Sequence, residues 1–370
     1  MKILHVITTI NRGGAENHLV ELVRTQVQQG LEVVVAYLKG DGYWATILRE
    51  LGMRVESLEL VRYGDFSPIM KLRELIRSVA PDVVHAHMPP AELYTRLALL
   101  FMHPTPVMVI SKHNDEPFFR GVGQIATGRW VARRAARMIA ISDAVNTYAR
   151  NHLNMPEGRV TTVHYGIDPS SYEQISESRR QDVRMEWDIP PGAWVIGTVA
   201  RLVPQKALHV LLNAYSQYRA QARRESRLVL VGRGPLEGEL KALSRQLGLE
   251  REIVWAGFRE DIPAVMKAFD AFVLTSSYEG FGLVLLEAMA AARPVVASRV
   301  SAIPEIVRDG ITGLLCEPGD QEGFAHALLR FEEAGMRSRL GTAGHERART
   351  HFTLERMAEA TLSVYKECIA

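Results

Sequence analysis

The sequence predicts an α/β protein made of two doubly wound domains of similar size that face each other across a cleft. Short aliphatic and β-branched runs alternate with longer helical patterns, which is typical of parallel sheets built from βαβ units. The alternation stops in a polar, charge-rich stretch that ends in Pro190-Pro191, and it then restarts. The 370 residues are also too many for one ordinary core. We therefore predict a first domain at 1–168, a linker at 169–192 and a second domain at 193–351.

Each half of the sequence supplies six predicted strands separated by helices. The predicted strands are Ile3–Ile7, Glu32–Leu38, Val83–Ala86, Val107–Ser111, Met138–Ile141, Val160–Val163, Val195–Ala200, Arg227–Val231, Ile253–Ala256, Ala271–Leu274, Val295–Ser298 and Gly313–Cys316. The predicted helices are Ala15–Gln29, Tyr43–Leu51, Pro68–Ser78, Ala91–Leu100, Asp143–His152, Leu208–Gln221, Glu237–Leu247, Ile262–Ala268, Leu283–Ala291, Ala302–Asp309 and Gln321–Glu333. In such folds ligands bind beyond the carboxyl ends of the strands, so functional residues are expected in the loops that follow them.

The composition excludes several classes of protein. Lys and Arg number 44 against 42 Asp and Glu, so the chain lacks the basic excess of a nucleic-acid-binding protein. The two cysteines, Cys316 and Cys368, are too few for a disulfide framework or a cysteine metal cluster, which favours a reducing compartment. No apolar run reaches the roughly 18 residues of a membrane-spanning helix, and the N-terminus does not resemble a signal peptide. We expect a cytoplasmic protein.

Glycines mark two turns between a strand and a helix. In the first domain, Gly13–Glu16 follows a strand, and its paired glycines would let backbone N–H groups approach an anion. A plain tight turn explains this stretch equally well. In the second domain, Gly232–Pro235 resembles half of a dinucleotide fingerprint, but Glu237 stands where the third glycine belongs. We expect a turn close to a nucleotide here, and no NAD site.

Two cations follow the first strand of the second domain. Arg201 ends that strand and Lys206 lies five residues later, with Pro204 between them. Arginine offers a bidentate fork and lysine a point charge, a combination that suits a diphosphate. Taken alone, such a pair is better explained as two solvated surface cations.

The most informative segment is Ser276–Ala290. Two carboxylates, Glu279 and Glu287, lie eight residues apart across a glycine-rich turn that enters a helix. Glu279 can face a ligand above the helix N-terminus, where Gly282 and Leu283 would present free backbone N–H groups. Glu287 lies among apolar residues and needs a partner, which is either a ribose diol or a buried salt bridge.

These motifs resemble those of the retaining, nucleotide-sugar-dependent glycosyltransferases of family 4, also called group 1, which have the GT-B fold. The specific marker is the pair Glu279 and Glu287 within EGFGLVLLEAMAA. Four further elements occur in the expected order, namely GGAE at 13–16, HYGID at 164–168, RLVPQK at 201–206 and DGITGLL at 309–315. The resemblance covers nearly the whole chain, and it is specific for the family but not for one donor or acceptor.

The resemblance implies a role for each matching residue. Arg201 and Lys206 would neutralise the diphosphate of the donor, Glu279 would hold hydroxyls of the transferred sugar, and Glu287 would bind the ribose diol. His113 matches the family's cleft histidine, which approaches the sugar and the reaction centre. The catalytic candidates are therefore His113, Glu279, Arg201 and Lys206. The other expected donor-binding residues, which act mainly through their backbone, are Gly14, Gly232, Phe258, Gly280, Phe281, Gly282 and Leu283.

The sequence departs from the family pattern at two places. Ala207 follows Lys206 where the family often has glycine, and Val300-Ser301-Ala302 stands where a Gly-Gly pair often precedes Ile-Pro-Glu. The second change puts a backbone contact to the donor in doubt. The resemblance also implies that a C-terminal helix at 352–370 packs back onto the first domain.

Retention of configuration requires the acceptor hydroxyl and the departing diphosphate to lie on the same face of the sugar. No carboxylate is clearly placed as a covalent nucleophile, although Glu279 stays open as one. The resemblance implies a front-face, dissociative substitution in which the leaving phosphate helps to take the acceptor proton. The sequence has no Asp-x-Asp pair, so we expect neither a metal ion nor another cofactor. Arg201, Lys206 and a helix N-terminus would supply the positive charge.

The acceptor, a glycan or a lipid-linked molecule, is expected on the first domain. The basic helical stretch Arg129–Arg137 contains Trp130 and suits an anionic membrane surface, so the protein could be peripheral on the inner face of the cytoplasmic membrane. A solvated helix face with Trp130 in the core fits as well. His85 and His87 end a strand and either could face the acceptor, but a zinc site from this pair lacks a third ligand.

Three functions stay open. The first is a retaining hexosyl- or N-acetylhexosaminyltransferase that uses a UDP- or GDP-sugar to build lipopolysaccharide, exopolysaccharide or another surface glycan. The second is an epimerase or phosphorylase of the same fold, and the third is a non-catalytic scaffold that binds a nucleotide sugar. An NAD-dependent dehydrogenase is disfavoured by the incomplete glycine fingerprint.

Overall fold

The computed structural model describes residues 1–114 and 122–369, which form two compact units. Unit 1 contains Met1–Gly166 and the segment from Leu354 onward, and unit 2 contains Ile167–Thr353. Each unit is built on one sheet whose strand pairs are all parallel. The predicted pair of doubly wound α/β domains is confirmed.

The first part of unit 1 contains seven strands and six α-helices among the described residues. They are β1 Lys2–Thr9, α1 Gly14–Gln28, β2 Glu32–Lys39, α2 Tyr43–Glu50, β3 Arg54–Ser57, α3 Ser67–Val79, β4 Val83–His87, α4 Pro89–Ala98, β5 Val107–Lys112, α5 Val122–Arg134, β6 Arg137–Ala140, α6 Asp143–Leu153 and β7 Val160–Thr162. The strand order is β3-β2-β1-β4-β5-β6-β7.

Unit 2 has six strands in the order β10-β9-β8-β11-β12-β13. Its elements, followed by the last helix of unit 1, are α7 Ser170–Glu173, α8 Glu177–Glu186, β8 Trp194–Val199, α9 Leu208–Gln221, β9 Ser226–Val231, α10 Glu237–Gln246, β10 Ile253–Gly257, α11 Ile262–Ala268, β11 Ala271–Leu274, α12 Leu283–Ala290, β12 Val295–Ser298, α13 Ile303–Ile306, β13 Leu314–Cys316, α14 Gln321–Arg330, α15 Ala334–His351 and α16 Leu354–Ile369.

The helix α16 completes the core of unit 1. Met357, Ala358, Val364 and Tyr365 are buried against a group of strand and helix residues that includes Ile3. Full burial of side chains such as Met357 and Val364 contributes roughly 1.5–3 kcal/mol each. One face of the sheet of unit 1 is therefore covered by a segment that follows all of unit 2 in the sequence.

The segment 169–192, which was predicted as a linker, folds as part of unit 2. Asp270 accounts for this difference, because its carboxylate pairs with Arg180 at 3.0 Å and with Arg184 at 2.7 Å, and both arginines lie on α8. The same carboxylate accepts a hydrogen bond of 2.8 Å from the backbone N–H of Val195. The polar residues that suggested a solvated linker are thus partners of groups in the unit.

We expect Asp270→Ala to lower the free energy of unfolding by about 3 kcal/mol, because it leaves the buried Arg184 guanidinium without its anion. Urea-induced unfolding measures the change. Glu346→Ala is the matched control, since its pair with Arg349 is more than half exposed on both sides and should contribute little to stability. Equal effects of the two substitutions would contradict the assignment.

Candidate functional site

The strongest sequence candidates of unit 2 lie where its strand order reverses. β8 and β11 are adjacent, with β9 and β10 on one side and β12 and β13 on the other. Loops that follow two such strands diverge and leave a crevice at the carboxyl edge of the sheet. Lys206 lies in the loop after β8, and Glu279 lies in the loop after β11.

A buried salt bridge joins these two residues. Lys206 Nζ contacts Glu279 Oε1, and the Ser276 hydroxyl donates to the same oxygen at 2.6 Å. Glu279 is only 6% exposed. A carboxylate this far from water requires a cation and hydrogen-bond donors, which Lys206 and Ser276 supply. The sequence assigned the two residues to different parts of the donor, and the structure brings them into one cluster.

Backbone and side-chain hydrogen bonds hold the two loops together. Ser277 N donates to Gln205 O at 2.8 Å, and the Gln205 amide donates to Tyr278 O at 3.0 Å. The Thr275 hydroxyl donates to the carbonyl oxygen of Lys206 at 3.0 Å. The backbone that presents the ammonium group is therefore fixed, which is what a preorganised binding site needs.

The two departures from the family pattern share one backbone conformation. Ala207 has φ = 45° and Ser301 has φ = 43°, so both lie in the left-handed region that favours glycine. A residue with a Cβ costs about 1–2 kcal/mol in this conformation. This conformation favours glycine, and this chain adopts it with alanine and serine.

Glu287 lies on α12 and differs in kind from Glu279. Desolvation raises the pKa of its carboxyl to about 7, and a hydrogen bond from the Tyr172 hydroxyl opposes part of that rise. No salt bridge to Glu287 is found among the described residues, so the buried ion pair that the sequence left open is not what holds it here. A carboxyl that titrates near neutral pH without a cation can accept hydrogen bonds from a ligand's hydroxyl groups.

The remaining donor-site candidates of unit 2 lie around these residues with differing exposure. Phe281 is buried, and its ring meets Phe352 edge-on at a centroid distance of 6.1 Å, so its side chain serves packing. Gly280 is buried, Gly282 precedes α12 with φ = 97°, and Leu283 is the first residue of that helix.

Arg201 and Phe258 are the exposed members of the predicted donor site. Arg201 is exposed, and within the part of the chain that the structure describes its guanidinium has no hydrogen bond or salt bridge. Phe258 follows β10 and is 42% exposed. The structure therefore joins Lys206 to Glu279, and the joint action of Arg201 and Lys206 on one diphosphate stays a prediction.

Gly232 is explained by close packing of two turns. It has φ = 137°, its N–H donates to Gly257 O at 2.7 Å, and a Cβ at this position would lie 1.9 Å from the carbonyl oxygen of Ala200. The glycine-rich turn after β9 is therefore required for the loop after β8 to keep its path.

We expect Gly232→Ala to destabilise the protein by about 3 kcal/mol or more, because it combines this overlap with an unfavourable φ. The matched control is Gly238→Ala on α10, where a Cβ meets no atom within 4 Å and should stabilise the helix by about 0.5 kcal/mol. Thermal unfolding compares them. A Gly232→Ala variant as stable as the wild type would contradict the packing argument.

In unit 1 a carboxylate sits beside the N-terminus of α1. The Thr9 hydroxyl donates to Glu16 Oε1 at 2.7 Å, and a Cβ at Gly13 would lie 2.4 Å from Glu16 Oε2. Glu16 therefore complements the helix dipole from within the chain. Gly14 is exposed, with open space where a Cβ would be, and its contact with a donor stays a prediction.

His113 lies at the end of a chain of buried side chains. Its Nε2 is 3.1 Å from His87 Nδ1, and its Nδ1 is 2.5 Å from the Tyr165 hydroxyl. The chain continues from His87 Nε2 to His5 Nδ1 at 3.0 Å and from His5 Nε2 to Gln26 Oε1 at 2.9 Å. The sequence analysis missed His5, Gln26 and Tyr165. The signal for His5 and His87 was their position on adjacent parallel strands, whereas nothing in the sequence pairs Gln26 with either.

A third histidine near His85 and His87 changes the metal question. His5, His85 and His87 are buried and offer ring nitrogens within 4.8 Å of one another, a grouping that could hold an ion. Both nitrogens of His85 already have partners, however, the Tyr365 hydroxyl at 2.6 Å and the Ser111 hydroxyl at 2.8 Å. His5 and His87 also contact each other directly. Metal binding would have to break these contacts, so the residues fit a hydrogen-bonded cluster better.

The basic stretch Arg129–Arg137 is not one helix. α5 ends at Arg134 because the chain turns there into β6, which begins at Arg137. The guanidinium of Arg137 pairs with Glu367. Trp130 is partly buried, and the Arg96 guanidinium lies 4.7 Å from its ring centroid. Among the described residues, no helix combines the length and apolar character needed to cross a bilayer.

Two family descriptions match successive parts of the chain. "Glycosyltransferase Family 4" matches residues 12–171, and "Glycosyl transferases group 1" matches residues 179–347. Together they cover parts of both units and all of the catalytic and donor-binding residues that the sequence predicts.

Similar proteins with known names support the same assignment. The lipopolysaccharide core biosynthesis glycosyltransferase LpsE of Rhizobium meliloti is 28% identical over 369 residues, covering 95% of each chain. The D-inositol 3-phosphate glycosyltransferase of Actinosynnema mirum is 32% identical over 263 residues, covering 68% of this chain and 61% of its own length. The crystal structure of Anabaena HepE with UDP and glucose has a TM-score of 0.88 and 24% identity, covering 99% of this chain and all of that one. The last comparison confirms the expected GT-B fold.

Proposed function

Because the chain belongs to the group 1 glycosyltransferases of family 4, we propose that it transfers a sugar from a nucleoside-diphosphate sugar to a hydroxyl group of a glycan or lipid-linked acceptor, with retention of configuration. The observation that supports this best is the buried cluster of Lys206, Glu279 and Ser276 at the strand-order reversal of unit 2. A structural salt bridge needs no such position, whereas a diphosphate sugar needs a cation and a hydroxyl-binding carboxylate there.

A uridine nucleotide is the donor we favour. The similar structure of HepE was solved with UDP and glucose, which says what that protein binds. Here Glu287, with its pKa raised to about 7, would accept hydrogen bonds from the two ribose hydroxyls, and backbone near Gly232 and Phe258 would hold the base. The transferred group would be a hexose or an N-acetylhexosamine.

The residues on unit 2 suggest how the reaction proceeds. Lys206 would stabilise the negative charge that grows on the departing diphosphate, and Arg201 would add a second cation from the exposed loop. Glu279 would hold sugar hydroxyls and so orient the ring. With these cations no metal ion is required, and the leaving phosphate would take the acceptor proton on the same face of the sugar.

His113 would contribute as a neutral group. Burial lowers its pKa to about 3, with the nearby Lys112 adding to the effect, so it does not serve as a proton donor at neutral pH. We propose that it contacts the sugar by hydrogen bonding alone. Similarity to a lipopolysaccharide core enzyme favours a surface-glycan acceptor, and we place the reaction at the cytoplasmic side of the membrane, with the protein at most peripherally bound.

The test is a calorimetric screen of UDP-, GDP-, ADP- and dTDP-sugars against the full chain, with EDTA and with Mg²⁺. We expect one nucleotide class to bind equally well in both conditions. Incubation of that donor alone, followed by analysis of the sugar, separates transfer from epimerisation, because an epimerase converts the donor without an acceptor. Absence of binding by every nucleotide sugar would overturn the proposal.

A further inference from the structure

A series of hydrogen bonds runs from Gln26 through His5, His87 and His113 to Tyr165, and each of these bonds has a definite direction. Gln26 Oε1 is a carbonyl oxygen and can only accept, so His5 Nε2 must hold a proton and donate it. A neutral imidazole has one N–H, which leaves His5 Nδ1 as an acceptor. The contact of 3.0 Å from His87 Nε2 to that nitrogen then requires the His87 proton to be on Nε2.

The positions of the next protons, up to Tyr165, follow in the same way. His87 Nδ1 has to accept, so the proton of His113 lies on Nε2 and is donated over 3.1 Å. His113 Nδ1 is left with its lone pair, and the Tyr165 hydroxyl donates to it at 2.5 Å. All three imidazoles therefore hold their proton on Nε2, and each donates toward Gln26.

These proton positions hold only if the three imidazole rings are neutral, and burial keeps them neutral. Desolvation lowers the pKa of His5 to about 4 and of His113 to about 3, and it lowers the pKa of His87 well below its usual value. No ring in the chain would then hold two protons at neutral pH. Because every ring is neutral, the acceptor at Gln26 fixes the position of the proton in each ring as far as His113.

We propose that Gln26 is a positioning residue that fixes the proton of His113 on Nε2, acting through His5 and His87, so that His113 meets its ligand only as a hydrogen-bond acceptor at Nδ1. In the free protein the Tyr165 hydroxyl occupies that nitrogen. A sugar hydroxyl that donates to Nδ1 would replace it. This last step rests on the proposed function, whereas the proton positions do not.

The experiment is nitrogen-15 NMR of the histidine side chains in the full-length protein without ligand, with signals assigned from single histidine substitutions. Protonated and unprotonated ring nitrogens have well-separated chemical shifts, so the spectrum reports each tautomer directly. We expect His5, His87 and His113 to be neutral with the proton on Nε2. A wild-type His113 protonated on Nδ1 overturns the proposal, whatever the protein's activity proves to be.

Two substitutions at Gln26 test the cause. Gln26→Met removes the accepting carbonyl while keeping the length of the side chain, so His87 and His113 should gain a population with the proton on Nδ1. Gln26→Leu removes the acceptor, so a population with the proton on Nδ1 should arise at both rings, and kcat should fall about tenfold or more with unchanged affinity for the nucleotide. If Gln26→Leu does not fold, Gln26→Met tests the cause, and Nδ1–H on His113 in the wild-type spectrum still contradicts the assignment.

Tyr215→Phe is the matched control. It also removes a buried hydrogen-bonding group, but this group is a hydroxyl of unit 2 that contacts Ser226. The tautomers of His5, His87 and His113 should not change. A reversal of His113 in this variant, or an unaltered His113 tautomer in folded Gln26→Leu, would overturn the role of Gln26.

Discussion

Replacement of Lys206 by methionine is expected to reduce kcat/KM for sugar transfer by about 10²–10³-fold, the usual cost of removing one group that stabilises developing charge. Lys206 is the one described cation that the structure holds in the buried cluster with Glu279. Steady-state kinetics with the donor identified by calorimetry measures the loss. The control is Lys241→Met, since Lys241 pairs with Glu237 on the surface of α10 and should leave activity unchanged.

Substitutions at both ends of the Lys206–Glu279 salt bridge separate the loss of stability from the loss of activity. Lys206→Met leaves the Glu279 carboxylate buried without its cation, and Glu279→Gln does the reverse, so each should cost about 3 kcal/mol of stability. The double substitution removes both charges and should recover most of that stability while staying inactive. Recovered activity in the double variant would show that the pair is structural only.

Glu287 gives the second large effect, which depends on pH. The pKa of its carboxyl is about 7 in the folded protein against 4.5 in an unfolded chain, so the folded state binds the proton more tightly. The stability this contributes is fully present below pH 4.5 and is lost as the pH rises through 7. The total is at most about 3 kcal/mol. Glu287→Gln removes this dependence, and it should therefore be more stable than the wild type at pH 8.

The affinity for the donor should increase with pH, whereas the stability decreases. The ionised carboxylate accepts both ribose hydroxyls, so the affinity for a UDP-sugar should rise between pH 6 and pH 8 in the wild type. Glu287→Gln should bind at least about tenfold more weakly, with little dependence on pH. Calorimetry and urea unfolding at both pH values check the two halves of this prediction. A variant that loses stability at pH 8 without losing affinity would contradict it.

Tyr172→Phe provides an independent check of the same carboxyl. Its hydroxyl hydrogen bond opposes the rise of the Glu287 pKa, so its removal should move the titration of Glu287 to higher pH. The range over which stability falls should shift upward with it. If the pH range over which stability falls does not move, the group that titrates in this range is not Glu287.

Sequence patterning predicted the sheets well, because each of the 12 predicted strands corresponds to a strand of the structure. β3 was missed because Val55 is the only aliphatic residue among its four residues, which leaves no alternation to detect. α15 was missed for a different reason. It approaches its neighbours through glycines, and a Cβ at Gly341 would lie 2.5 Å from Ala292 O, so no stripe of large apolar residues marks the helix.

The candidate site was predictable only as separate motifs. Lys206 and Glu279 are 73 residues apart, and their salt bridge follows from the adjacency of β8 and β11, which a sequence does not display. Tyr172 was hidden in the segment taken for a linker, whose charges looked solvated because their partner Asp270 is distant in sequence. Gln26 is polar, fully buried and on a helix, a combination that becomes visible only when His5 is seen beneath it.

The chain leaves unit 1 after Gly166 and returns to it at Leu354, and the two crossing segments lie side by side, with Ile167 N donating to Phe352 O at 2.8 Å. On the ribosome this arrangement imposes an order of events. The residues that α16 covers, including His85 beneath Tyr365, are made early but wait for their cover until the whole of unit 2 has been translated. Unit 2, being continuous in sequence, can finish folding first, so the N-terminal unit should be the later of the two to reach its native state.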